Sequence, residues 1–163
     1  MSIVVMGVAG SGKSTIGQML AKQLGLPFAD ADEFHPQSNI EKMRSGTPLN
    51  DDDRRPWLEI LAQTLYEREL EGGIVLACSG LKSDYRKVLN SKSKNPPTYV
   101  YLKGSKDLIM QRMKQRSGHF MPQELLDSQF DTLEEPQDAI IVGIESQPEF
   151  IVSEILKNLN SND

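Results

Sequence analysis

Only one cysteine, Cys78, occurs among the 163 residues, so no internal disulfide supports the fold. The first residues lack the basic start, apolar centre and small-residue cleavage site of a signal peptide, and a reducing, cytoplasmic location is expected. The longest apolar runs, such as Ile3 to Met6 and Ile74 to Ala77, fall far short of the ~20 residues that a membrane-spanning helix needs. No membrane partner is expected. Positive charge is also scarce: 18 Lys and Arg stand against 23 Asp and Glu, a net charge of −5 that opposes attraction to a phosphate backbone and argues against a nucleic-acid partner. Internal repeats, low-complexity tracts and an interdomain linker are missing too. The expectation is one domain over residues 1–163, long enough to bury about two-thirds of its unfolded surface without metal or disulfide. Oligomeric state is left open, a homodimer included.

What is present is an alternation of short apolar runs and helical patterns. Ile3 to Met6 is β-branched and runs into glycine, as a buried central strand does, and Ile16, Met19, Leu20 and Leu24 follow at near-helical spacing before Gly25 and Pro27. A brief second strand near Phe28 ends at Asp30-Ala31-Asp32, on the carboxyl edge where such sheets bind ligands. A short helix is expected over Asn39 to Arg44. A longer one starts at Asp51, Asp52 and Asp53, with Pro56 in its first turn and Leu58, Leu61 and Leu65 as a buried stripe. Strands are expected at Ile74 to Cys78, Thr98 to Leu102 and Ala139 to Ile144. Helices are expected from about Ser83 to Leu89, around Leu108, Ile109 and Met113, around Leu126, Phe130 and Leu133, and after Pro148 with Phe150, Ile151, Ile155 and Leu159 as its apolar set. Repeated strand and helix imply an α/β fold: a three-layer α/β/α sandwich with a mainly parallel sheet of about five strands.

Gly7-Val8-Ala9-Gly10-Ser11-Gly12-Lys13-Ser14 matches G-x-x-x-x-G-K-[ST] between a predicted strand and a predicted helix, the context that a phosphate-binding P-loop requires. Glycines let successive backbone NH groups curl around a β-phosphate, and the helix start adds positive potential. Lys13 would then bridge the β- and γ-phosphates and Ser14 would ligate Mg²⁺, making Gly7 to Ser14 with Thr15 the candidate ATP-binding residues. The guanine-reading N-K-x-D and the switch D-x-x-G do not occur, which disfavours a GTPase. The strand at Ile74 to Cys78 runs into Ser79-Gly80-Leu81-Lys82 without the acid that motor and transport ATPases place there. Asp30 and Asp32, at the end of the second strand, are the acids available instead.

Three further blocks are more discriminating. Asp30 to Pro36, Asn39 to Met43 and Gly46 to Trp57, continued by Cys78 to Lys82, Tyr85-Arg86, Tyr101 to Gly104, Gly118 to Met121 and Gln129-Phe130, resemble the gluconokinase family over nearly the whole chain. The resemblance implies ATP-dependent phosphorylation of D-gluconate at its terminal hydroxyl, giving 6-phosphogluconate and ADP, on a fold similar to shikimate and adenylate kinases. Other acceptors within the class, or a nucleotide-binding module without turnover, are the competing readings. Shikimate kinases usually carry Gly-Gly-Gly where Ser79-Gly80-Leu81 stands, and the intact set of Lys13, Ser14, Asp32, Arg112 and Arg116 argues for turnover.

Within that frame Asp32 is the candidate to orient the acceptor hydroxyl, take its proton and touch Mg²⁺ through water, against an alternative role as a helix cap. Arg54, Lys82, Arg86 and His35 are the candidates for holding a carboxylate and a row of hydroxyls. Arg54 leads because its planar fork binds two oxygens at once, although a helix-start salt bridge would explain it too. Trp57 reads as core rather than sugar platform. Arg112 and Arg116, four apart on one helix face, suggest arginine fingers on a lid over about 112–133, with a solvated basic face as the alternative.

Overall fold

A computed structural model describes residues 1–115 and 123–161. Five strands form one sheet: β1 (Ile3–Met6), β2 (Phe28–Asp30), β3 (Val75–Ala77), β4 (Thr98–Lys103) and β5 (Ile140–Gly143). Their spatial order is β2-β3-β1-β4-β5 and every pairing is parallel, with Val4 opposite Leu76 on one side and Tyr99 on the other. Among the described residues seven helices cover it: α1 (Lys13–Leu24), α2 (Gln37–Arg44), α3 (Asp51–Leu70), α4 (Ser83–Asn90), α5 (Lys106–Gln115), α6 (Gln123–Thr132) and α7 (Pro148–Ser161). Among the described residues, no helix is long and apolar enough to cross a membrane.

The central strand shows why both faces need helices. Successive side chains of a strand point to opposite faces. Ile3 and Val5 accordingly join Ile16, Leu20, Ile109 and Ile155 under α1, α5 and α7, while Val4 and Met6 join Leu58, Leu61, Leu65 and Leu89 under α3 and α4. Each fully buried aliphatic side chain contributes roughly 1.5–3 kcal/mol relative to an exposed one. β1 is thereby clamped on both sides and presents its carboxyl end as a rigid platform.

Two expectations need correction. Pro56 is the sixth residue of α3, not a first-turn residue, so it removes a helical hydrogen bond in the second turn. The helix tolerates this because Asn50 and Asp53 form a reciprocal capping box before it, and Trp57, Leu58 and Leu61 bury their side chains immediately after. Phe150 is 68% exposed: the buried stripe of α7 is Ile151, Val152, Ile155 and Leu159, and Phe150 lies one position off it.

Candidate active site

The loop between β1 and α1 turns on left-handed glycines. Gly7 has φ +152, and a Cβ there would meet Ser11 Oγ at 2.8 Å and the Leu102 carbonyl at 3.0 Å; at Gly10, φ +79, it would meet Met113 Sδ at 2.8 Å. Gly12 caps α1 without a side chain, leaving the first helical NH groups free to meet an anion. Lys13 Nζ folds back to donate to the Val8 carbonyl at 3.1 Å, which holds the ammonium over the concavity of the loop. Burial pulls its pKa below the ordinary lysine value, with the charge of Asp32, then Cys78 and Asp30, acting in the opposite direction.

β2 delivers the two acids in different directions. Asp30, its last residue, accepts a 2.7 Å hydrogen bond from Ser14 Oγ through Oδ2, and its Oδ1 accepts the Asp32 amide at 3.0 Å. That second bond starts the single 3-10 turn, Ala31–Phe34, that swings Asp32 into the cleft. Ser14 thus pairs with Asp30 and not with Asp32, because the strand end points at the start of α1 while the turn carries Asp32 past it. The alternative of Asp32 as a helix cap is not seen: Asp30 caps the turn and Pro36 precedes α2. Asp32 is open to the cleft yet hemmed in by protein, and desolvation, followed by the charge of Asp30, pushes its carboxyl above the usual range despite Lys13 and His35.

Asp32 stands on a seam. A cavity of about 740 Å³ is lined by Gly10, Lys13, Ser14, Thr15, Asp30 and Asp32, and a second, of about 180 Å³, by Asp32, His35, Arg54, Trp57, Ser79 and Tyr85. The two share Asp32, His35, Cys78, Ser79 and Gln129. The Cys78 thiol at their common floor is pushed up to about 12 by burial and stays neutral. In the second chamber Tyr85 donates to Asp51 at 2.6 Å and accepts from Arg54 Nη1 at 3.3 Å, while Asp51 also faces Arg54 at 3.6 Å. One guanidinium is thus aimed into a polar chamber by two neighbours. His35 lies flat on Trp57, centroids 4.3 Å apart and planes 13° off parallel, and Trp57 donates to the Ala31 carbonyl at 2.7 Å. Trp57 is core, as expected, and is also the backing of a wall of this chamber.

Known proteins resemble this chain in sequence and in fold. A family model described as shikimate kinase matches residues 9–160. The thermoresistant gluconokinase of Escherichia coli (strain K12) is 42% identical over 159 residues, covering 94% of this chain and 90% of that protein, and the gluconokinase of Arabidopsis thaliana is 43% identical over 170 residues, covering 95% and 90%. The chain belongs to the gluconokinase family. A crystal structure of a gluconokinase from Sinorhizobium meliloti 1021 superposes with a TM-score of 0.90 at 43% identity, covering 98% of this chain and 91% of that one. Shikimate kinase from Aquifex aeolicus vf5, at 23% identity and a TM-score of 0.61, shares the fold.

Not every candidate of this gluconokinase-family chain reaches the seam. Lys82 turns to Asp51 at 3.3 Å and so supports the Arg54 cluster from outside. Arg86 donates to the Gly80 carbonyl at 2.6 Å and the Glu134 carbonyl at 2.9 Å, and it lines neither chamber. Its role as a substrate cation is corrected to that of a clamp between the β3–α4 loop and the segment after α6. Arg112 lines neither chamber either. It lines a third cavity, of about 330 Å³, with Gly10, Gly12, Thr15, Gln147 and Pro148. The reason is helical geometry: Met113 packs on Gly10, and the residue before it is rotated by about 100°. Arg116 lies outside the described residues, as do His119 and the rest of 116–122.

Sequence reasoning left two groups without a role. Tyr85 holds Arg54, and Gln129 Oε1 accepts from the Ala9 amide at 2.6 Å while its residue lines both chambers. Both stand in blocks that resemble the family, which was the only signal for them.

Proposed function

We propose that this chain transfers the γ-phosphoryl group of ATP to the terminal hydroxyl of D-gluconate, giving 6-phospho-D-gluconate and ADP. Gluconokinase activity follows from family membership, and what supports the assignment of roles is one observation: the Asp32 carboxyl sits on the seam between the phosphate cradle and the polar chamber. The triphosphate takes the larger cavity, its β-phosphate in the amides of Gly10 to Thr15 and Lys13 across the β- and γ-phosphates. The base takes the third cavity, between Arg112 and Pro148. Gluconate takes the smaller chamber, carboxylate on Arg54 and hydroxyls along His35 and Ser79.

Two hard oxygen donors, Ser14 Oγ and Asp30 Oδ2, lie 2.7 Å apart beside the phosphate cradle, a donor set that suits Mg²⁺, which takes one or two protein oxygens and fills its shell with phosphate and water. When bound, the ion neutralises charge on the phosphate oxygens. Asp32 then accepts a hydrogen bond from the acceptor hydroxyl, turning a lone pair toward phosphorus, and takes the proton as the O–P bond forms and the bond to ADP breaks. Lys13 meets the charge that develops on the transferred group. In the same reading residues 1–163 are one kinase domain with a lid at about 112–133, whose Arg116 lies outside the described residues.

ADP release with a panel of sugar acids, shikimate and water tests this. Turnover should require gluconate, and Arg54→Met should raise the KM for gluconate without changing that for ATP. Equal turnover of shikimate and gluconate would overturn the acceptor assignment.

A further inference from the structure

His35 is held by more than its stack on Trp57. Asn39, the third residue of α2, is 2% exposed, and its Nδ2 lies 2.8 Å from the Asp53 carbonyl oxygen and 3.2 Å from His35 Nδ1. A backbone carbonyl only accepts, so the amide atom facing Asp53 is the nitrogen and not the oxygen. With one N–H spent there, the second is directed at His35 Nδ1, which must accept it. A neutral imidazole that accepts at Nδ1 carries its proton at Nε2. The ring plane is set by Trp57, the Nδ1 edge is claimed by Asn39, and His35 lines both chambers, so Nε2–H is the edge left to a ligand.

The neighbours are consistent with an uncharged ring. Asp32 and Arg54 are the charged groups that face His35, and they act in opposite directions. Burial is the largest influence and lowers its pKa below the ordinary histidine value.

We propose that Asn39 is a positioning residue that fixes His35 as the Nε2–H tautomer, so that the ring donates a hydrogen bond to the polyol hydroxyl next to the one attacked. The inference rests on gluconate occupying the chamber beside Asp32. A donor on the attacking oxygen itself would withdraw density from the lone pair that Asp32 turns toward phosphorus, whereas a donor on its neighbour fixes the rotation of the chain end. Asp32 accepting and His35 donating would read two adjacent hydroxyls. An analogue without the second one would leave Nε2–H unpaired in a partly closed site.

Two measurements test it. The chain has two histidines, so ¹⁵N-resolved imidazole spectra are simple and His35→Gln assigns them. His35 should show the Nε2–H tautomer in the free protein, and gluconate should move its Nε2 resonance. In steady-state kinetics His35→Gln, whose amide reaches the Nε2 position, should keep the KM for gluconate within about threefold, while His35→Asn, which reaches only the Nδ1 position, should raise it about tenfold or more with the KM for ATP unchanged. Both variants lose the stack equally, so a merely structural role would not separate them. Asn39→Asp, if it folds, should switch His35 to the Nδ1–H tautomer and raise the KM for gluconate as His35→Asn does. An Nδ1–H tautomer in the parent, or equal gluconate KM values for His35→Gln and His35→Asn, would overturn the proposal. Failure of the functional reading is separately visible as absence of ADP release with any sugar acid, since the tautomer is read without substrate.

Discussion

Replacing Asp32 by asparagine separates chemistry from architecture. The side chain of Asp32 makes no hydrogen bond to protein among the described residues; the amide of the same residue is what bonds to Asp30. Its loss therefore removes no cap and no ladder. What it removes is a base, and general-base groups contribute typically 10²–10⁴-fold to rate, so kcat should fall by about that factor. The KM for ATP should change by less than about threefold, because Lys13 and the loop amides remain. Stability should respond in the other direction. A carboxyl whose native pKa is raised above its unfolded value favours the native state fully below the unfolded value, and that advantage is lost as pH rises through the native pKa. At pH 7 the native state thus carries an ionised Asp32 at a disadvantage, partly offset by Lys13, and the Asp32→Asn substitution removes both the disadvantage and the offset. The thermal midpoint at pH 7 should hold or rise. Coupled ADP-release kinetics and thermal melts at pH 7 measure both quantities. A kcat within tenfold of the parent, or a melting temperature several degrees lower, would refute the role given to Asp32 and restore a structural one.

Lys13→Ala should lower kcat at least about 100-fold with the fold retained, since a preorganised charge on a developing phosphoryl group is worth about 3–4 kcal/mol; near-normal turnover in a folded variant would remove Lys13 from the chemistry. Asp30→Asn should raise the Mg²⁺ concentration needed for half-maximal rate. It should also move the acid limb of kcat/KM for gluconate to lower pH, because the charge of Asp30 is one of the causes that hold the Asp32 carboxyl up. An unmoved limb would mean another group sets it. Arg54→Met and Arg86→Met should behave oppositely: the first should raise the KM for gluconate at least about tenfold with little change in melting temperature, and the second should lower the melting temperature while leaving the KM for gluconate near the parent value. Reversal of that pattern would exchange the roles of the two arginines.

The contrast between those two arginines shows what the sequence made legible. Local chemistry was readable: β1 coincides with the apolar run Ile3–Met6, the glycine-lysine-serine loop follows it, and Gly25 closes α1 in a left-handed conformation. These features are settled within a few residues by propensity, periodicity and turn chemistry. Direction in space was not. Arg54 and Arg86 are both arginines near the start of a helix, and nothing within either segment says that the Gly80 and Glu134 carbonyls will take one guanidinium while Tyr85 and Asp51 aim the other into a chamber. Ser14 likewise chose between two acids two residues apart. The choice follows from the parallel register that sets Asp30 opposite Ala77 and the turn that begins immediately after it.

Arg112 carries the argument one step further. Spacing of four put it on the same face as Arg116, and shared faces are all that a helical period can report. Which cavity that face meets depends on how α5 is docked, and the docking is set by Met113 and Ile109 packing against Gly10, more than ninety residues earlier in the chain. The same contact requires Gly10 to lack a side chain, so the loop that receives phosphate and the helix that lines the third cavity fix one another. Gln129 makes a second such tie, its carbonyl on the Ala9 amide across 120 residues. Filling the Gly10 space should therefore disturb more than the phosphate cradle: Gly10→Ala, strained at φ +79 and driven against Met113, should displace α5 and weaken binding of adenosine nucleotides at the base end as well as at the phosphates. Comparing ATP with inorganic triphosphate as competing ligands distinguishes the two losses. Equal weakening of both ligands would confine the damage to the cradle and separate α5 from it.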